Sequence, residues 1–97
     1  MPQALGIIEV VGLTAAIAAA DTALKVAQVE LLGYELTKGK GMVTVRFGGD
    51  VGAVSAAVEA AVSAAQVVHS VNAFRVIPKP HEEVAQMLNR KKKDTVD

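Results

Sequence analysis

Cysteine is missing from all 97 residues, and aromatics are scarce: Tyr34, Phe47 and Phe74 are the whole set, 3% of the chain. The lack of cysteine excludes disulfides, thiolate metal sites and a cysteine nucleophile, and it suits a reducing cytosol. An excess of charge is missing too. Ten Lys and Arg balance ten Asp and Glu, for a formal net charge of +0, so neither nucleic acid nor an anionic membrane is implied as a partner. No basic segment followed by a sustained apolar run opens the chain, so no signal peptide is expected. The longest apolar stretches are broken by Asp21, Lys25 or glycine, and no segment is expected to span a bilayer. The expectation is a cytoplasmic domain.

What the chain does have is aliphatic bulk. It is 52% hydrophobic, mostly Ala, Val, Leu and Ile. A chain of this length builds one domain and buries only a marginal core, so leftover apolar surface tends to be covered by a partner subunit. Ala-rich helices can lie close to whatever they pack on, which suits repeated close contacts better than one deep pocket.

Ala4–Val11 is a nearly continuous apolar run, as expected of a central strand buried on both faces. Gly12 ends it. Leu13, Ile17, Ala20, Leu24 and Ala27 then recur at helical spacing, with Thr14, Asp21 and Lys25 on another face. Val29–Thr37 and Met42–Phe47 read as strands joined by the glycine-punctuated hairpin Lys38-Gly39-Lys40-Gly41. In the later strand Val43, Val45 and Phe47 alternate with Met42, Thr44 and Arg46. Asp50 is a good N-cap for a second helix, whose stripe is Val51, Val54, Val58, Ala61 and Ala65. Val67–Ile77 returns to strand character and is stopped by Pro78 and Pro80. A short last helix is expected over His81–Arg90, and a polar tail over 91–97. The order β-α-β-β-α-β, with an added short C-terminal helix, predicts an α+β fold: a ferredoxin-like split βαβ sandwich over residues 1–90.

Catalysis finds no residues to stand on. The glutamates lie on separate elements, and His69 and His81 have no carboxylate at ligand spacing, so no metal or cofactor is expected. Ser55, Ser63 and Ser70 lack a nucleophile-elbow context. Gly39-Lys40-Gly41 and Gly48-Gly49 are short turns, not pyrophosphate cradles. An RNA-recognition module shares the strand order but needs stacking aromatics on the first and third strands, where Phe47 stands alone. A regulatory small-molecule module of the same fold remains the alternative to a self-assembling tile.

Seven stretches, taken in order, carry a resemblance. They are Ala4-Leu5-Gly6-Ile7-Ile8-Glu9, Gly12-Leu13-Thr14-Ala15-Ala16-Ile17, Ala19-Ala20-Asp21 with Lys25, Leu32-Gly33-Tyr34-Glu35, Val43-Thr44-Val45, Gly49-Asp50-Val51-Gly52-Ala53-Val54 and Val76-Ile77-Pro78-Lys79-Pro80-His81. Together they resemble the single-domain shell proteins of bacterial microcompartments over nearly the whole chain. The resemblance implies a non-catalytic subunit that forms cyclic hexamers, which tile into a shell with a central pore for small metabolites. Its implied partners are further copies of itself, other shell proteins and encapsulated enzymes.

Roles follow by position. Lys25 matches the lysine at the hexamer edge. Lys79 stands where the family usually has arginine between two prolines, and it keeps the charge while losing the planar fork of donors. His81 would sit beside this edge. Lys38, Gly39, Lys40 and Gly41 match the pore-lining loop, with one residue more than usual before it. Six copies of Lys40 or Lys38 around one channel would favour anions, at a repulsion of roughly 1 kcal/mol per pair at about 4 Å in water. Gly48-Gly49-Asp50 departs from the usual Arg-Gly-Asp, and whether Arg46 replaces that missing charge is left open by the sequence.

Overall fold

The computed structural model describes residues 4–36, 41–79 and 81. The elements run β1 (Ala4–Val11), α1 (Leu13–Val26), β2 (Glu30–Leu36), β3 (Met42–Gly49), α2 (Val51–Val68) and β4 (Val71–Ile77). The four strands form one antiparallel sheet in the order β2-β3-β1-β4, the topology of the split βαβ sandwich expected above. Residues 82–97, with most of the expected C-terminal helix and all of the tail, lie outside the described residues.

The core lies between the helices and one face of the sheet. Ala4, Ile8 and Val10 of β1 and Val43, Val45 and Phe47 of β3 meet Val54, Ala57, Val58, Ala61 and Ala65 of α2. The alternation expected for β3 therefore holds. β1 is less enclosed than its apolar run suggests: Ile7, Glu9 and Val11 are only half-buried on the helix-free face. Gly6 sets how near α2 can come. A Cβ there would stand 2.7 Å from Val58 Cγ2 and 2.8 Å from Val54 Cγ1, so the helix rests where a side chain would be.

Helix α1 divides the helically spaced residues, with Ala20 and the C-cap Ala27 packed against the core. Its buried residues are Ala15, Ala16, Ala19 and Ala23, while Leu13, Ile17 and Leu24 are exposed. Small side chains let α1 approach its neighbours closely, and the large aliphatics look outward. Helix α2 keeps most of its expected stripe but leaves Val51 exposed. It also runs on through Val67 and Val68, which β-branching had assigned to the next strand; the turn falls at His69 and Ser70. Asp50 occupies the N-cap position, with its carbonyl accepting from the Val54 N–H at 2.8 Å, but its side chain makes no capping bond. Against the expectation that no segment could span a bilayer, α2 is long and apolar enough by length and composition. Five of its residues, Val54, Ala57, Val58, Ala61 and Ala65, are buried in the domain's own core.

Candidate assembly surfaces

Antiparallel register gives the sheet two ends. At one, Val11 pairs with Met42 and Val10 with Val71, beside the β2–β3 connection. At the other, Ala4 pairs with Gly49, Leu5 with Ile77 and Glu30 with Gly48. Helix α1 starts beside the first end; its 14 residues span about 20 Å, so it finishes beside the second.

The loop end is tied by backbone. The Gly12 N–H donates to the Gly41 carbonyl at 2.7 Å. Both residues have positive φ, 94° and 68°, which L side chains resist. The start of α1 and the return of the hairpin are thereby joined. Of the four residues expected to line a pore, Gly41 lies here, exposed; Lys38, Gly39 and Lys40 fall outside the described residues.

The three expected edge residues belong to the opposite end. Lys25 is in the last turn of α1 with its side chain 72% exposed, and its Nζ is 2.9 Å from Asp21 Oδ2. Lys79 follows β4 and is exposed, as is His81. The structure thus separates Lys25, Lys79 and His81 from Gly41 by the length of the sheet.

The two sides of the sheet are unlike each other. On the α1/β2 side, Leu13, Ile17, Leu31 and Tyr34 line a cleft of about 320 Å³ with Val45 at its base. Ile17 is 60% and Tyr34 61% exposed. On the α2/β4 side, Phe74, 54% exposed, adjoins a groove of about 540 Å³ that includes Val62, Val76 and Arg75. Apolar surface of this kind marks interaction sites. Helical spacing puts Leu13 and Ile17 on one side of α1 without saying what that side faces, and no local pattern marks Leu31, Tyr34 and Phe74 as surface residues.

Two of the strand glutamates are engaged by neighbouring side chains. Asn72 Nδ2 donates to Glu9 Oε1 at 2.7 Å, and Arg46 Nη1 to Glu35 Oε1 at 3.3 Å. Arg46 stands on the helix-free face, opposite to Val45 and Phe47, so it does not supply the charge missing at the start of α2. His69 Nδ1 accepts from the Ser70 N–H at 2.8 Å. Among the described residues, no three His, Asp or Glu side chains converge as metal ligands would.

Comparison with known proteins gives the family. The family model described as BMC domain matches residues 4–80. The chain belongs to the BMC-domain family. It is 54% identical over 86 residues to the bacterial microcompartment shell protein PduA of Citrobacter freundii, covering 89% of this chain and 91% of that one. It is 45% identical over 91 residues to the carboxysome shell protein CsoS1B of Hydrogenovibrio crunogenus, covering 93% of each. A crystal structure of a microcompartment protein from Desulfitobacterium hafniense superimposes with a TM-score of 0.81 at 37% identity, over 89% of this chain and 48% of that chain. The chain therefore spans about half the length of that solved protein. BMC-domain membership selects the shell subunit over the regulatory small-molecule module, which the fold alone left open.

Proposed function

We propose that six copies of this chain close into a flat ring, that rings meet edge to edge, and that the loop ends gather around a central pore. The chain is a structural subunit of a bacterial microcompartment shell, standing in the cytoplasm, and not an enzyme; this rests on its family and on its shell-protein relatives. The observation that carries the ring is the unlikeness of the two sides. A two-fold dimer needs one self-complementary patch, whereas two different patches on opposite sides generate head-to-tail contacts, which close into rings when the rotation between copies divides a full turn. The cleft of Leu13, Ile17, Leu31 and Tyr34 and the Phe74 side are such a pair. The molecule is also a slab, 34 × 31 × 18 Å, a shape suited to a flat tile.

In this reading Lys25, Lys79 and His81 lie on the outer rim, where rings abut. Lys38, Gly39, Lys40 and Gly41 face the axis, and six cationic side chains there favour anionic metabolites. Partners are other copies of the chain, other shell proteins and the enzymes they enclose. Imaging the purified protein by negative stain tests the ring: six-fold discs, extending into sheets or tubes, are expected. Particles that stay monomeric or dimeric at high concentration overturn it. Flux across a reconstituted layer tests the pore, since an anion preference unchanged in Lys40→Ala removes Lys40 from the role.

A further inference from the structure

Tyr34 pairs with Val45, Val45 with Ile8, and Ile8 with Phe74. These four residues make one row across all four strands. Val45 and Ile8 belong to the core beneath the helices, so the row lies on the helix-covered face. Tyr34 ends it on one side of the sheet and Phe74 on the other, both more than half exposed. The row therefore carries Tyr34 and Phe74 at the same distance from the loop end of the strands.

We infer that Phe74 of one subunit seats in the α1/β2 cleft of the next, against Tyr34, and forms the lateral contact of the assembly. The inference rests on the ring reading and adds to it which residues meet. When wedges surround an axis at their loop ends, the two sides of neighbouring copies touch at equal distances from that axis. The row brings Phe74 to the cleft under that condition without any shift along the strand. Chemistry agrees with the geometry. The cleft is apolar, lined by Leu13, Ile17, Leu31 and Tyr34, and a phenyl ring placed there leaves water and can meet the Tyr34 ring offset or edge-on. Charge does not oppose the contact: Asp21 of the cleft lining is paired with Lys25, and the Phe74 side carries both Arg75 and Glu59. Tyr34 and Phe74 account for both exposed aromatics among the described residues, and one contact covers the pair.

The chain holds no native cysteine, so a Tyr34→Cys/Phe74→Cys double variant can be cross-linked with a short bismaleimide without background. A ladder of covalent species reaching six chains is expected, with none from either single variant alone. A Glu59→Cys/Phe74→Cys control, with both thiols on one side of the subunit, is expected to give no ladder. Rings of normal mass that yield no ladder overturn this contact and leave the ring intact; a wild-type protein without rings overturns both. Tyr34 is the single tyrosine and there is no tryptophan, so its emission in the wild-type protein gives a second readout if the double variant does not assemble. Acrylamide quenching several-fold weaker in rings than in subunits dissociated by dilution is expected. Equal quenching in the two states overturns the contact.

Discussion

Arg46 Nη1 stands 3.3 Å from Glu35 Oε1 across the β2–β3 pair, on the sheet face that carries no helix. The two residues are not opposite each other: Arg46 pairs with Gly33 and Glu35 with Thr44. Gly33 leaves the room the guanidinium uses, since a Cβ there would lie 3.2 Å from Arg46 Nη2. The arginine side chain is 8% exposed and the glutamate 37%, so the cation depends on its partner more than the carboxylate does. Glu35→Leu leaves the buried cation without that acceptor and is expected to cost about 1.5–3 kcal/mol, whereas Arg46→Leu costs less because the remaining carboxylate reaches water. Urea unfolding at one fixed protein concentration checks the difference. Equal losses count against this asymmetry.

Gly6 sits beneath two valines of α2, and valine in a helix has little rotamer freedom with which to retreat. Gly6→Ala is expected to lower stability by about 1–3 kcal/mol, the usual range for overpacking. Thermal unfolding measures it. A variant as stable as the parent would mean that α2 can ride up from β1 at no cost.

Lys25 and Asp21 form an exposed i, i+4 pair worth about 0.3–0.5 kcal/mol. Lys25→Ala is therefore expected to leave folding and the six-chain ring nearly unchanged while preventing rings from joining into sheets. Unfolding curves and sedimentation of the assembled material separate the two effects. Loss of folding stability with sheet assembly intact would return Lys25 to a helix-surface role.

At Lys79 the expected direction is reversed. Lys79→Arg restores a planar, multi-donor group that holds backbone carbonyls with more directional bonds than an ammonium. Sheets are expected to sediment at lower protein concentration in Lys79→Arg and to be lost in Lys79→Ala. An arginine variant that assembles no better than the parent places the contact elsewhere on the rim.

Local signals carried most of the fold. Gly12, the Lys38–Gly41 hairpin, Asp50 and Pro78 punctuate the chain at or within a few residues of the observed element ends, because turns and caps depend on nearby residues alone. The face of α1 was not legible. Helical periodicity reports that Leu13, Ile17 and Leu24 share a side, but not whether that side looks toward the subunit's own core or toward another copy. Val67 and Val68 misled in another way, since β-branched residues favour strands yet continue α2 where the helix has room. The Arg46–Glu35 pair was hidden because it is diagonal: Arg46 pairs with Gly33 and Glu35 with Thr44, and alternation along a single strand does not join residues that are not opposite each other. The assembly surfaces depend on the whole sheet, because Tyr34 and Phe74 are related only through Val45 and Ile8.

Native mass spectrometry of the purified chain, followed from high to low protein concentration, tests the central claim most directly. A closed six-subunit species is expected to dominate, with larger species as multiples of six. A chain that remains a monomer or a dimer at the highest concentration contradicts the account of this protein as a ring-forming shell tile.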